Sequence, residues 1–336
     1  MSSENKIPTT TQSYVLPETG TYKNLVLRET SIPAIGPNDA LIKVHAVSLQ
    51  YRDLLVVSGK YGLAKIPSNL IPCSDMAGEI LALGSSASAS SNPLNKWKVG
   101  DRVCANFTPD HLHGDATPEI MASAFGANVD GVLTEYKVVP VHSLVEIPDH
   151  LSYEEASTLP YVPVPLIPYL ERPHSLTHSL THSRMAKNRC AALTAYNALH
   201  GPVPIKAGDH VLVLGTGGVS IFALQFAVAA GATVIATSSS DVKLKIASKL
   251  GAKHVINYKT TPEWEKEVLR ITNGRGVDHT IEVSGTLDQS IAATKMGSGQ
   301  IHIIGFVSGS GSAPSVFPII GRAVTLRGIL IGSVAQ

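Results

Sequence analysis

The chain is expected to be an α/β protein with two domains, an N-terminal barrel-like β domain and a C-terminal doubly wound parallel sheet. Three observations carry that expectation. From about Cys190 onward, helical stretches such as CAALTAYNALHG alternate with β-rich runs, HVINY, HTIEV and IHIIGF, as crossover helices and parallel strands require. Ahead of that point, short strands are broken by Gly and Pro, the pattern of a compact, mostly β domain. Within the later region, Val211 to Ala229 reads as strand, glycine turn and helix in one continuous stretch.

In chain order, the polar lead MSSENKIPTTTQSY reads as disordered. Tyr22 to Arg28 and Ala40 to Ser48 read as strands, the second alternating with a period near two. Pro33, Gly36, Pro37 and Asn38 supply the turn between them. LQYRDLLVVSGKYG reads as a short helix entering a loop, and Met76 to Leu83 as a strand. GSSASASSNPLN has no apolar period and reads as an exposed, mobile loop. Val99 to Val103 is a turn into another strand, and Gly131 to Val139 a further strand. Ser152 stands at a helix N-cap with Glu155 at the third helical position, a capping box.

The glycine stretch bears on function. Val211-Leu212-Val213-Leu214 breaks at Gly215-Thr216-Gly217-Gly218, and an apolar helix follows from Val219. Such a turn lets a pyrophosphate approach the unpaired N–H groups at a helix N-terminus. The third fingerprint position holds Ser220 instead of glycine. A second buried strand, Ala232 to Thr237, follows at the distance a βαβ nucleotide unit needs. Gly215, Gly217, Gly218 and Val219 are therefore candidate dinucleotide contacts. The second strand ends in Thr237-Ser238-Ser239-Ser240, with Lys243 shortly after and no carboxylate at the strand-end position. Hydroxyls and a cation suit a ribose 2′-phosphate, so Ser238, Ser239 and Lys243 point to NADPH; Lys243 also reads as a solvated helix residue. Asp241 reads as the cap of the next helix.

Composition bounds the partners. With 336 residues, a formal net charge of +1 and 16% charged residues, nothing suggests a nucleic acid partner. Three widely spaced cysteines, Cys73, Cys104 and Cys190, offer no disulfide framework and suit a reducing compartment. No apolar stretch approaches the ~20 residues of a membrane span, and the N-terminus lacks a signal-peptide core. A soluble cytoplasmic protein acting on a small molecule is the expectation.

SLQYRDLLVVSGKYG, KVGDRV, DGVLTEY, CAALTAYNAL, VLGTGGVSIFALQFA, ATSSS, LGAKHVINY, GRGVDHTIEVSG and TLRGI together resemble the medium-chain dehydrogenase/reductase superfamily. Its members join a GroES-like barrel to a Rossmann domain. The resembling branch is the zinc-type alcohol dehydrogenase-like and quinone or enoyl reductase group. The strings run in the family's order over most of the chain, with a catalytic domain over 1–160 and a dinucleotide domain over 190–336. In zinc members the metal sits on a Cys, a His and a later Cys. Here the first position falls in Ser48-Leu49-Gln50 and the second at Ser74; only Cys190 matches, and it reads as a buried small hydrophobe. One soft ligand does not hold Zn²⁺, so no metal site is expected.

Without a metal, polarisation of the substrate falls to side-chain donors. The resemblance implies Tyr61, in SGKYG, near the substrate carbonyl, and Tyr51 and Gln50 facing the nicotinamide. Each also reads as an ordinary packed or loop residue. Arg52 and Asp53 read as local helix contacts. The resemblance further implies Thr194, Gly305 and Phe306 near the cofactor and Tyr258 beside the 2′-phosphate. It also implies a homodimer through the Rossmann sheet edge at TLRGI.

Two departures from the family stand out. Residues 161–189, rich in Pro, Ser, Thr and His, separate TLP from CAALTAYNAL. His174, His178 and His182 fall four apart within it, but flanking prolines argue against a helical metal stripe, and it reads as an insertion without chemistry. The chain also ends soon after TLRGILIG, where relatives continue, so it reads as C-terminally truncated. The expected activity is NADPH-dependent, zinc-independent hydride transfer to a quinone, enone or enoyl thioester. The alternatives are an NADPH-binding protein without turnover and, from the zinc members, an alcohol dehydrogenase.

Overall fold

The computed structural model describes residues 7–88, 97–158, 190–305 and 316–333, together with the backbone but not the side chain of Cys190. These residues fall into two compact units, one of residues 7–158 with Cys190 and Ser333 and the other spanning Ala191–Gly332. The insertion at 161–189, with its three histidines, lies outside the described residues, as does Phe306.

In the N-terminal unit, β3 (Asp39–Ser48), β4 (Asp75–Leu83), β5 (Arg102–Ala105), β6 (Tyr136–Pro140) and β7 (Leu144–Glu146) form an antiparallel sheet. The spatial order is β6-β3-β4-β5-β7. Its two edge strands, β6 and β7, are joined by the short turn Val141–Ser143, so the sheet must curl until its edges approach. That is the barrel-like form the sequence implies. Ile42, Met76, Ile80, Val103, Phe125 and Val139 fill the interior, the inward residues of alternating strands.

Several local expectations are corrected here. The polar lead is ordered from Thr10: β1 (Thr10–Val15) pairs antiparallel with β2 (Val26–Ser31). Its buried side carries hydroxyls, with Ser13 Oγ 2.7 Å and Thr11 Oγ1 3.0 Å from Thr134 Oγ1, so apolar alternation does not mark it. Tyr22–Asn24 is a 3₁₀ turn capped by Thr21, and the strand begins only at Val26. Likewise the strand expected from Gly131 begins at Tyr136. The loop after β4 is not free at its start, since Ser86 and Ala87 N–H groups both donate to Pro37 O at 2.9 Å. The Ser152 cap forms as expected, with Ser152 Oγ accepting from Glu155 N–H at 3.1 Å and Glu155 Oε2 accepting from Ser152 N–H at 2.9 Å.

The C-terminal unit is a six-stranded parallel sheet of β8 (His210–Val213), β9 (Thr233–Ser238), β10 (His254–Asn257), β11 (His279–Glu282), β12 (Gln300–Ile303) and β13 (Thr325–Gly328). The order β10-β9-β8-β11-β12-β13 reverses direction between β8 and β11. In an open α/β sheet, that reversal opens a crevice at the carboxyl ends of the strands, where ligands bind. Leu212, Ile235, Ile256, Val268 and Val277 pack one core cluster, and Ile291, Ile301 and Val324 another. Among the described residues no helix is long and apolar enough to cross a membrane.

A buried histidine pair ties β11 to β12. His279 Nδ1 and His302 Nε2 lie 3.1 Å apart, with His279 Nε2 3.6 Å from Asp209 Oδ2. Burial first, then the neighbouring His279 and Arg327, push His302 down to about 3. His279 is also held low by burial, against the opposing pull of Asp209 and Asp278. A histidine whose folded pKa lies below its unfolded value contributes no penalty above the unfolded pKa; stability is lost as pH falls below it. Urea unfolding should therefore show the protein losing about 2 kcal/mol through His302 between pH 6.5 and pH 5. His302→Asn should flatten that slope while leaving the fold at pH 7.5 intact.

Candidate functional site

The glycine turn leaves β8 at Leu214. Gly215 takes φ +75°, a left-handed conformation that costs glycine little. Its N–H donates to Thr237 Oγ1 at 3.2 Å, and Thr216 Oγ1 shares a 3.2 Å hydrogen bond with Ser238 Oγ. The turn is thereby tied to the end of β9. Gly217 is the N-cap of the helix Gly218–Ala229, and no side chain caps it. Ser220, at the third fingerprint position, is buried and donates to Leu214 O at 2.7 Å. A small, satisfied hydroxyl thus serves where glycine usually allows close helix–strand packing.

This turn fits a dinucleotide pyrophosphate. A Cβ added at Gly215 or Gly217 would meet no atom within 4 Å, so neither glycine is required by packing against the protein. Among the described residues the open space lies against the helix N-terminus, whose cap position carries no side chain, where backbone groups and the helix dipole favour an anion.

The other cofactor candidates divide by position. Ser238 is buried and its hydroxyl is engaged by the turn, while Ser239 is half-buried and Lys243 exposed. Tyr258 is exposed, and its N–H donates to Ser238 O at 3.1 Å, setting it beside the β9 end. Gly305 follows β12 and donates to Glu282 O at 3.3 Å, beside the end of β11. Thr194 is buried in the helix Cys190–Leu199. Asp241 is not a cap: Ser240 holds the N-cap position, and the Asp241 carboxylate accepts from Asn257 Nδ2 at 2.7 Å. Glu282 was not expected. Buried at the end of β11, it accepts from the Ser284 and Gly285 N–H groups at 2.8 and 2.9 Å and so shapes the loop beside the crevice. Its one sequence signal is a carboxylate inside the apolar run HTIEV.

In the N-terminal unit, Gln50 precedes the helix Tyr51–Val57 and Tyr51 opens it, half exposed. The Gln50 N–H donates to Asp53 Oδ2 at 2.6 Å. Gln50 Nε2 donates to Asp75 Oδ2 at 2.7 Å and to Ser48 Oγ at 3.4 Å, and Ser74 Oγ donates to Asp75 Oδ1 at 3.0 Å. All five side chains are buried. Burial, aided by the Asp75 charge, pushes the Asp53 carboxyl up to about 6, and burial beside Asp53 and Asp75 pushes the Cys73 thiol well up. Cys73 itself stands at φ +67°, and a Cβ at Gly126 or Gly131 would collide with its backbone.

Ser48-Leu49-Gln50 and Ser74, where the resemblance puts two ligands of the zinc members, are thus linked: Gln50 donates to Ser48 and Asp75, and Ser74 donates to Asp75. Hydroxyl and amide donors committed to a carboxylate do not make the thiolate and imidazole set that Zn²⁺ takes. Among the described residues no group of three or more His, Cys, Asp or Glu could hold a metal ion. The residues present do not fit zinc.

Arg52 makes more than local helix contacts. Its Nη2 donates to Phe125 O at 2.8 Å, and its guanidinium lies 5.0 Å from the Tyr61 ring centre and 4.4 Å from that of Phe107. Tyr61 also packs against Val56, Leu70 and Ala127. Arg52 therefore joins Tyr61 to the helix that carries Tyr51, a link between side chains that spacing alone does not reveal.

Comparison with known proteins agrees in both units. Residues 36–149 match the alcohol dehydrogenase GroES-like domain and residues 218–336 the zinc-binding dehydrogenase family. The chain is 42% identical over 325 residues to a zinc-type alcohol dehydrogenase-like protein of Schizosaccharomyces pombe, covering 94% of this chain and 83% of that one. It is 30% identical over 318 residues to a crotonyl-CoA reductase of Streptomyces avermitilis, covering 82% of this chain and 63% of that one. A crystal structure of an NAD-dependent alcohol dehydrogenase is similar at a TM-score of 0.76 and 27% identity, covering 96% of this chain and 86% of that one.

The open space at Gly217 yields a test. Gly217 has φ −77°, which alanine adopts freely, so Gly217→Ala should keep the wild-type melting temperature. The added methyl group should weaken dinucleotide binding by about tenfold, about 1.4 kcal/mol, in a fluorescence titration.

Proposed function

Because the chain belongs to the medium-chain dehydrogenase/reductase superfamily of oxidoreductases, we propose that it is an NADPH-dependent, zinc-independent reductase. Its substrate is a small apolar molecule with a polarised C=C or C=O bond: a quinone, an enone or an enoyl thioester. The observation that carries the reading is the Ser48–Gln50–Asp75–Ser74 network at positions where zinc members bind their metal. The likeness to a crotonyl-CoA reductase supports the enoyl thioester class.

NADPH, once bound, supplies the hydride. The chain's residues hold it and manage the charge. Backbone N–H groups of Gly217 and Val219 take the pyrophosphate, in a turn that Gly215 and Gly218 shape. The Ser239 hydroxyl and the Lys243 ammonium take the ribose 2′-phosphate, with Tyr258 beside it. Thr194 and Gly305 border the nicotinamide half, and Phe306 is assigned there from the resemblance.

On the substrate side, the Tyr61 phenol donates to the oxygen that gains negative charge as hydride arrives, the general-acid or oxyanion role a metal plays elsewhere. The stacked Arg52 guanidinium restricts the Tyr61 ring and sets a positive charge against its face. Tyr51, exposed at the helix start, is a second donor. No step runs through zinc. The terminal position of β13 in the sheet supports a homodimer through that edge, and the buried thiols Cys73 and Cys104 suit a reducing cytoplasm.

NADPH and NADH titrations, followed by NADPH consumption over quinones, enones and enoyl thioesters, test the reading. NADPH should bind at least about tenfold more tightly, and a chelator should leave the rate unchanged. Tyr61→Phe should lower kcat/KM by about 10²-fold with little change in cofactor affinity. Binding without turnover on any substrate would reduce the chain to a dinucleotide-binding protein, and a chelator-sensitive rate would overturn zinc independence.

A further inference from the structure

We infer that Thr216, in the glycine turn, is a specificity-determining contact whose hydroxyl hydrogen is turned outward by Ser238 and donated to the ribose 2′-phosphate of the dinucleotide. This rests on the reading above that NADPH binds at this turn, and it adds to Ser239 and Lys243 a donor from the turn itself. A hydroxyl carries one hydrogen and can accept at two positions. A series of hydroxyls therefore has a direction, and its buried end sets that direction.

Ser238, the last residue of β9, is 4% exposed. Its Oγ accepts from the Ser240 N–H at 3.4 Å and lies 3.2 Å from Thr216 Oγ1. Among the described residues these are the partners of that hydroxyl, and a backbone N–H cannot accept. The Ser238 hydrogen therefore goes to Thr216 Oγ1. With Thr216 donating instead, the Ser238 hydrogen would have no acceptor, and an unpaired buried polar group is costly. Thr216 is half-buried, so its hydrogen is the one left for a ligand. Ser240 N–H to Ser238, Ser238 to Thr216 and Thr216 to the ligand form one directed series.

Position selects the acceptor. In a βαβ nucleotide unit, the side chain at the end of the second strand meets the ribose 2′-position. That strand is β9, and Thr216 stands one hydrogen bond from its last residue. The Gly215 N–H, bound to Thr237 Oγ1 at 3.2 Å, ties the turn to the same strand end. A hydroxyl fixed as a donor gains most from an anionic acceptor, through a charge-assisted hydrogen bond. A 2′-phosphate offers that anion and a 2′-hydroxyl does not. Ser238, whose hydrogen is committed to Thr216, is a positioning residue and not a contact.

The test is equilibrium binding to the full chain, by fluorescence for NADPH and NADH and by calorimetry for the fragments 2′,5′-ADP and 5′-AMP. Thr216→Val, nearly isosteric, should weaken NADPH and 2′,5′-ADP by about tenfold and leave NADH and 5′-AMP within about twofold of the wild type. Thr216→Ser should keep the wild-type values. Ser238→Ala should weaken the same two phosphorylated ligands by about threefold. The double variant Thr216→Val with Ser238→Ala should bind no worse than Thr216→Val alone, because residues acting in one series are not additive.

The double variant also separates a lost donor from a disturbed fold. Thr216→Val leaves the buried Ser238 hydrogen unpaired, and Ser238→Ala removes it. A loss caused by that unpaired group would recover in the double variant, and a loss of the donor would not. Recovery, an equal loss for all four ligands, or a Thr216→Val chain that still separates NADPH from NADH as the wild type does would each overturn the inference. Additive losses in the double variant would overturn the part assigned to Ser238. A wild type that binds NADH as tightly as NADPH would instead overturn the reading on which the inference rests, before any substitution is made.

Discussion

The hydrogen bond from Ser220 Oγ to Leu214 O, 2.7 Å long, closes the turn on which the dinucleotide half depends. It holds the first turn of the helix Gly218–Ala229 against the end of β8, so that the helix N-terminus lies at the carboxyl end of that strand. The Gly215 N–H, bound to Thr237 Oγ1, fixes the turn to β9 as well. A buried hydroxyl costs stability unless it is paired, and here the pairing is what lets serine stand where the fingerprint has glycine. The anion site is thus assembled from backbone groups, with side chains used to hold the backbone still.

The N-terminal unit solves a different problem. It buries Ser48, Gln50, Asp53, Ser74 and Asp75 together, and such a cluster persists only if donors and acceptors match. Asp75 accepts from Gln50 and Ser74, while Asp53 accepts from the Gln50 main chain. Burial, and after it the nearby Asp75 charge, raise the Asp53 carboxyl to about 6, as desolvation and a like charge both disfavour the ionised form. The strained Cys73 backbone, packed closely by Gly126 and Gly131, places Ser74 and Asp75 at the head of β4.

Much of this was legible in the residues. The alternating runs after Cys190 and the spacing from Gly215 to Ser239 are local patterns, and local patterns survive folding because strand and helix periods are set by the backbone. The capping box at Ser152 is local for the same reason. The misreadings share another cause. β1 buries Thr11 and Ser13 against Thr134, more than 120 residues away, so a search for apolar alternation passes over it. Asp241 looks like a cap by position, but its carboxylate meets Asn257 across a strand crossover. Arg52 looks like a helix-surface residue until the Phe125 carbonyl and two aromatic rings enclose it.

By itself, then, the sequence determined the order of the elements, the dinucleotide turn and the absence of cysteine in Ser48-Leu49-Gln50 and of histidine at Ser74. These depend on residue identity and short spacing. Only the tertiary structure decided which way Gln50 faces and what holds Tyr61. Those depend on Asp75, 25 residues beyond Gln50, and on Phe125, 73 residues beyond Arg52. Hydrogen-bond polarity is a property of a pair of groups, and the partner is known only when the chain has brought it near.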